Sequence, residues 1–128
     1  MEQEIHPSVF GAEALMETYS DNIILFGPDA LAQLGEELFL SDRKTILLVM
    51  GGASARIPLR MILGSPVFRK PGLNMPHHEN VPPEPDTECV RAIVRTMERE
   101  QPDAVLAVGG GSVMDAAKAA YLSWQTGL

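Results

Sequence analysis

With a single cysteine, Cys89, this chain cannot close a disulfide within itself. One thiol suits a reducing compartment, so a cytoplasmic location is expected. Basic residues are also missing where a secretory signal needs them, since no Lys or Arg precedes Arg43. No apolar run approaches the ~20 residues required to span a bilayer, which excludes a helical membrane anchor from the expectation. The formal net charge of -7 supplies no basic footprint for nucleic acid or for an anionic membrane surface. Internal repeats and low-complexity tracts are lacking as well. What remains is the composition of an ordinary soluble globular protein, with 45% hydrophobic residues in a 128-residue chain. That length buries one core without needing a structural metal.

Residues 1–22 form an acidic lead in which Val9, Phe10, Leu15, Met16 and Tyr19 can line a short helix that Gly11 weakens. Regular patterning starts at Ile23-Ile24-Leu25-Phe26, a short apolar run closed by Gly27 that reads as a strand. Pro28 suits a first helical turn, and Leu31, Leu34, Leu38 and Phe39 follow at helical spacing. Thr45 to Met50 is apolar without alternation, as in a parallel strand covered on both faces, and it runs into Gly51-Gly52. A helix is expected to start near Ser54 or Pro58.

Residues 64–85 hold six of the ten prolines, and a short strand within Leu73–His78 is the most this stretch predicts. Pro76 pushes that strand to a sheet edge. Asp86 is an N-cap for a helix whose inner stripe is Val90, Ile93, Val94 and Met97, and which Pro102 terminates. Ala104 to Val108 is a further apolar strand. Gly109-Gly110-Gly111 turns it into a final helix, from 112 to about 124, in which Ala116, Ala117, Ala119 and Ala120 permit a close approach to the sheet. Alternating strands and helices of this kind predict an α/β fold: a Rossmann-like parallel sheet with helices on both faces, a three-layer sandwich. Ligands of such sheets lie beyond the carboxyl ends of the strands, where both glycine clusters fall.

A strand entering a helix through three glycines leaves backbone N–H groups free at the positive end of the helix dipole, a cradle for a phosphate. The turn is neither G-x-G-x-x-G, since Met114 holds the last position, nor a P-loop. Physical reasoning alone yields a phosphate-bearing ligand or a plain tight turn. Likewise Ser112 and Asp115 are either ligand-facing or a capping box, and Lys118 is either functional or a solvated partner of Asp115.

Gly109-Gly110-Gly111-Ser112-Val113-Met114-Asp115-Ala116-Ala117-Lys118 resembles the G-G-G-S-x-x-D-x-x-K signature of the iron-containing (group III) alcohol dehydrogenases. Ile24 to Pro28 with Ala30-Leu31 looks like that family's opening strand and helix. Val81 to Pro85 stands where members carry Val-Glu-Pro-Asn-Pro, with Glu84 in place of the asparagine. The resemblance covers about residues 23–124 and implies a dinucleotide-binding domain over 23–128. It implies that Gly109, Gly110, Gly111 and Ser112 hold the cofactor diphosphate, with Asp115 near the nicotinamide. Many members have an aspartate after the second strand that selects NAD. Here Gly51 takes that place, and Gly51-Gly52-Ala53-Ser54 is similar to the turn of NADP-using members, so NADP is favoured over NAD. Gly51, Gly52 and Ser54 then complete the cofactor site, while Arg56 is either an added charge or a surface residue.

The family's metal, iron or another divalent ion, polarises the alcohol oxygen as a Lewis acid. The resemblance places its aspartate and three histidines on a helical domain downstream of the signature, so no metal ligand or catalytic residue is assigned here. No turnover is expected from this chain alone. His77-His78-Glu79 is a weak metal candidate, because adjacent histidines on an extended segment face opposite ways. Cys89 reads as a packed thiol. A homo-oligomer is expected if apolar surface meant for a second domain is left open. The alternative reading is a non-catalytic nucleotide-binding or self-associating module.

Overall fold

The structure is a computed structural model that describes residues 32–36 and 42–127. The expected strand at Ile23–Phe26 and the acidic lead lie outside the described residues. Of the helix expected after Pro28, residues 32–36 are described and are helical.

Three parallel strands form the sheet, in the order β2-β1-β3. The central strand, β1 (Ile46–Met50), is buried at every residue, as its unbroken apolar run predicts. It pairs in register with β3 (Ala104–Val108), from Ile46 opposite Ala104 to Met50 opposite Val108. Its other neighbour is β2, only His77–His78, facing Leu48 and Val49. The strand expected within Leu73–His78 is therefore shorter. Asn74 makes an isolated bridge to Thr45, and Pro76 contributes a carbonyl to Leu48 N instead of a donor. A proline is tolerated there because β2 is an edge strand among the described residues.

Alternate residues of β1 feed two cores. Leu47 and Val49 pack with Ile93, Met97, Val113, Ala116, Ala117 and Ala120. These come from α2 (Thr87–Glu100) and α3 (Gly111–Thr126), which cover one face. Leu48 and Met50 pack with Ala55, Ile62 and Phe68 on the opposite face, under α1 (Arg56–Gly64). The result is the expected three-layer sandwich. Full burial of a side chain such as Ile93 or Met97 contributes about 1.5–3 kcal/mol. Ala116, Ala117 and Ala120 bring α3 close to the sheet, whereas Ala119 faces outward.

Helix ends follow local chemistry. Asp86 caps α2 by accepting from Cys89 N at 2.9 Å. Gln101, held in the left-handed region at φ 48° immediately before Pro102, closes its other end with N–H to Met97 O at 2.8 Å. The start of the sheet is tied by Asp103, whose carboxylate accepts from the N–H groups of Lys44 (2.9 Å) and Thr45 (3.0 Å). Arg43 adds a bond to the Asp103 carbonyl at 2.8 Å. Burial pushes the Asp103 carboxyl upward, but those backbone donors and the Arg43 charge outweigh it and hold it below its ordinary value.

Candidate functional site

Two strands of equal register, each followed by glycines, place both turns at the same end of the sheet. Gly51 and Gly52 leave β1, and Gly109 to Gly111 leave β3. Between them opens a cleft of about 490 Å³, lined by Gly51, Gly52 and Ala53, by Gly110, Gly111, Ser112 and Val113, and by a third segment, Asn80 to Pro83. Among the described residues no charged side chain lines it.

Glycine is required at Gly109, which has φ 150° and where a Cβ would lie 2.9 Å from Val113 Cγ2. At Gly110 and Gly111 the packing does not demand glycine, because a Cβ there would meet nothing within 4 Å. That open space borders the start of α3, whose first intrahelical bond runs from Met114 N to Gly110 O. The N–H groups of Gly111, Ser112 and Val113 therefore have no acceptor within the helix and sit at its positive end. A diphosphate fits this cradle.

Ser112 is the second residue of α3, and its hydroxyl donates to the Pro83 carbonyl. The N-cap is Gly110, with no side-chain cap, so the capping box of Ser112 and Asp115 does not form. Asp115 is exposed on α3 and does not line the cleft. Gly109 lies beside it, in a neighbouring hollow with Pro58, Met61 and Ile62. Ser54 stands in the 3-10 turn Ala53–Ala55 that leads into α1. Arg56 is exposed at the first position of α1.

The wall formed by Asn80 to Pro83 was not expected from sequence as part of the site. Asn80 N donates to Gly51 O (3.2 Å) and Val81 N to Met50 O (3.0 Å), so this strap is tied to the end of β1, while Asn80, in the left-handed region at φ 64°, turns it out of the line of β2. Also unexpected is a bond from β2 to α2. His78 Nδ1 lies 2.9 Å from Thr96 Oγ1, and that hydroxyl donates to Ala92 O. Thr96 therefore accepts from the ring N–H. Burial, with a smaller contribution from Arg99, lowers the His78 pKa. His77 instead approaches Glu79, at 3.9 Å, so the two histidines do not converge. Among the described residues no group of three or more His, Cys, Asp or Glu is placed to hold a metal. Cys89 packs against the core, and burial followed by the Asp86 charge raises its pKa, the opposite of an activated thiol.

Residues 21–126 match the model of the iron-containing alcohol dehydrogenases. The chain belongs to that family. It is 32% identical over 103 residues to an NADPH-dependent butanol dehydrogenase of Clostridium saccharobutylicum, covering 80% of this chain and 25% of that protein. A 1,3-propanediol dehydrogenase of Klebsiella pneumoniae is 33% identical over 103 residues, with 76% and 25% covered. The crystal structure of an NADH-dependent butanol dehydrogenase A from Thermotoga maritima superposes with a TM-score of 0.65 at 29% identity, covering 77% of this chain and 27% of that one. The chain thus spans about a quarter of the length of these family members. Its parallel sheet and flanking helices correspond to part of an iron-containing alcohol dehydrogenase. Among the described residues, no helix is long and apolar enough to cross a membrane.

Proposed function

We propose that this chain is the nicotinamide-dinucleotide-binding part of an alcohol dehydrogenase, with the cofactor lying across the carboxyl ends of β1 and β3. The observation that carries the reading is the single cleft joining the two glycine turns. Its lining by residues of both turns suits a ligand with a diphosphate centre and an adenosine arm. Gly109, Gly110, Gly111 and Ser112 surround the diphosphate, chiefly through backbone N–H groups. Gly51, Gly52 and Ser54 border the adenosine ribose, and Asp115 lies towards the nicotinamide.

NADP is the preferred cofactor in this reading. A carboxylate at position 51 would repel a 2′-phosphate, and glycine removes it. Among the described residues the cleft has no charged side chain to reject that group. When bound, the nicotinamide accepts or supplies the hydride exchanged with an alcohol or aldehyde. No described residue is assigned to the metal of that reaction.

The protein is further proposed to be cytoplasmic and to self-associate. Val105 and Ala107 of β3, with Met114 and Tyr121 of α3, border a groove of about 460 Å³ along the outer side of β3. Tyr121 is 46% exposed and Leu122 64%, apolar area that a second copy would cover.

Titration of the purified chain with NADPH, NADH and ATP tests the cofactor reading. NADPH is expected to bind tightest and ATP weakest. Equal or tighter NADH binding overturns the NADP preference, and binding of ATP alone replaces the dehydrogenase reading with that of a mononucleotide module.

A further inference from the structure

The strap Asn80–Pro83 has an uneven supply of backbone donors. Asn80 and Val81 spend theirs on Gly51 O and Met50 O. Pro82 and Pro83 have no N–H to give, so the backbone bonds that the strap donates to β1 stop at Val81. Beyond that point the strap can be fixed through an acceptor, and the bond that does this runs from the Ser112 hydroxyl to the Pro83 carbonyl. It connects residues far apart in sequence, from the first turn of α3 to the wall facing Gly51 and Gly52.

A serine hydroxyl has one proton. With that proton on Pro83 O, Ser112 has none to donate to a phosphate. The neighbouring donors of the cradle are the N–H groups of Gly111, Ser112 and Val113, which need no side chain.

We infer that Ser112 is a positioning residue: its hydroxyl latches the Asn80–Pro83 strap to the start of α3 and so sets the width of the cleft, while the diphosphate is held by backbone N–H groups. This inference rests on the dinucleotide reading for its consequence, but the latch itself is a property of the free chain. A dinucleotide reaching from one glycine turn to the other needs the strap in place. A small anion confined to the cradle does not.

The test compares the full chain with S112A and S112T, by amide hydrogen exchange and by titration with NADPH and inorganic pyrophosphate. In S112A the amides of Asn80 and Val81 are expected to exchange roughly tenfold faster, with those of Ala117 and Ala120 unchanged. NADPH affinity falls about five- to tenfold and pyrophosphate affinity stays within about twofold, the loss of one hydrogen bond being converted at 1.4 kcal/mol per tenfold. S112T keeps the hydroxyl and restores both exchange and NADPH binding. Unchanged strap exchange, or pyrophosphate weakened as much as NADPH in S112A, overturns the latch and makes Ser112 a direct phosphate ligand. Failure of the wild-type chain to bind NADPH would sink the dinucleotide reading, and strap exchange in S112A would still decide the latch.

Discussion

Gly109 lies directly beneath Val113, so that a Cβ on Gly109 would stand 2.9 Å from Val113 Cγ2 and 3.2 Å from Val113 Cβ. Val113 is buried in the core shared by α2 and α3, and its branched side chain has little freedom to turn aside. The φ of 150° at Gly109 adds backbone strain for any other residue. Gly109→Ala is therefore expected to lose about 2–4 kcal/mol, the combined cost of a disfavoured φ and an overpacked contact. Urea unfolding followed by circular dichroism measures it. A loss under about 1 kcal/mol would show that the strand-to-helix turn relaxes easily.

Ile93 is fully buried between α2 and the sheet. Ile93→Ala is expected to cost about 2–5 kcal/mol, because the cavity is bounded by β1 and α3 and has little room to collapse. The same unfolding assay checks this.

His78 carries a pH dependence. Burial, then Arg99, hold its pKa below the ordinary 6.5. Between those two values the unfolded chain binds a proton that the folded chain does not. Stability is thus complete above about pH 6.5 and declines as pH falls towards the folded pKa. Unfolding free energies at pH 7.5 and 5.5 should differ in that direction, and the difference should shrink in His78→Gln. An undiminished difference in H78Q would assign the effect elsewhere.

Asp103 acts in a more acidic window. Its folded pKa lies below the ordinary 3.8, so its contribution is present above that value and is lost as pH falls through the folded pKa. Asp103→Ala removes the acceptors of Lys44 N and Thr45 N and is expected to lower stability at pH 7 by about 1–2 kcal/mol. The mutant should also lose less stability than the wild type between pH 4.5 and 3.

Legibility from sequence tracked the range of the interaction. β1 and β3 were plain because uninterrupted apolar runs encode burial on both faces, and Asp86 and Pro102 marked α2 through local backbone chemistry. The glycine turn was plain for the same local reason. The third wall of the cleft was not, since Asn80 to Pro83 reach it through the pairing of β2 with β1 and the bonds of Asn80 and Val81 to Gly51 and Met50, which no local pattern specifies. The Ser112–Asp115 spacing leaves both a capping box and a ligand-facing role open, whereas Ser112 stands two residues past the cap and bonds across 29 positions to Pro83. The tie from Asp103 to Lys44 and Thr45 was hidden likewise, because it links the starts of two strands nearly 60 residues apart.

The central claim is that the open space above the glycine turn holds the cofactor's diphosphate. Gly110 separates that claim from folding. It is the N-cap of α3 with φ -83°, a conformation open to any residue, and a Cβ there touches nothing. Aspartate is a favoured N-cap, so Gly110→Asp should leave stability equal or raised by a few tenths of a kcal/mol. Its carboxylate would occupy the anion cradle. Calorimetric titration of NADPH into the wild type and G110D is therefore decisive: saturable binding to the wild type and a loss of at least tenfold in the folded variant is the expected result. Equal binding by both folded proteins would contradict the account.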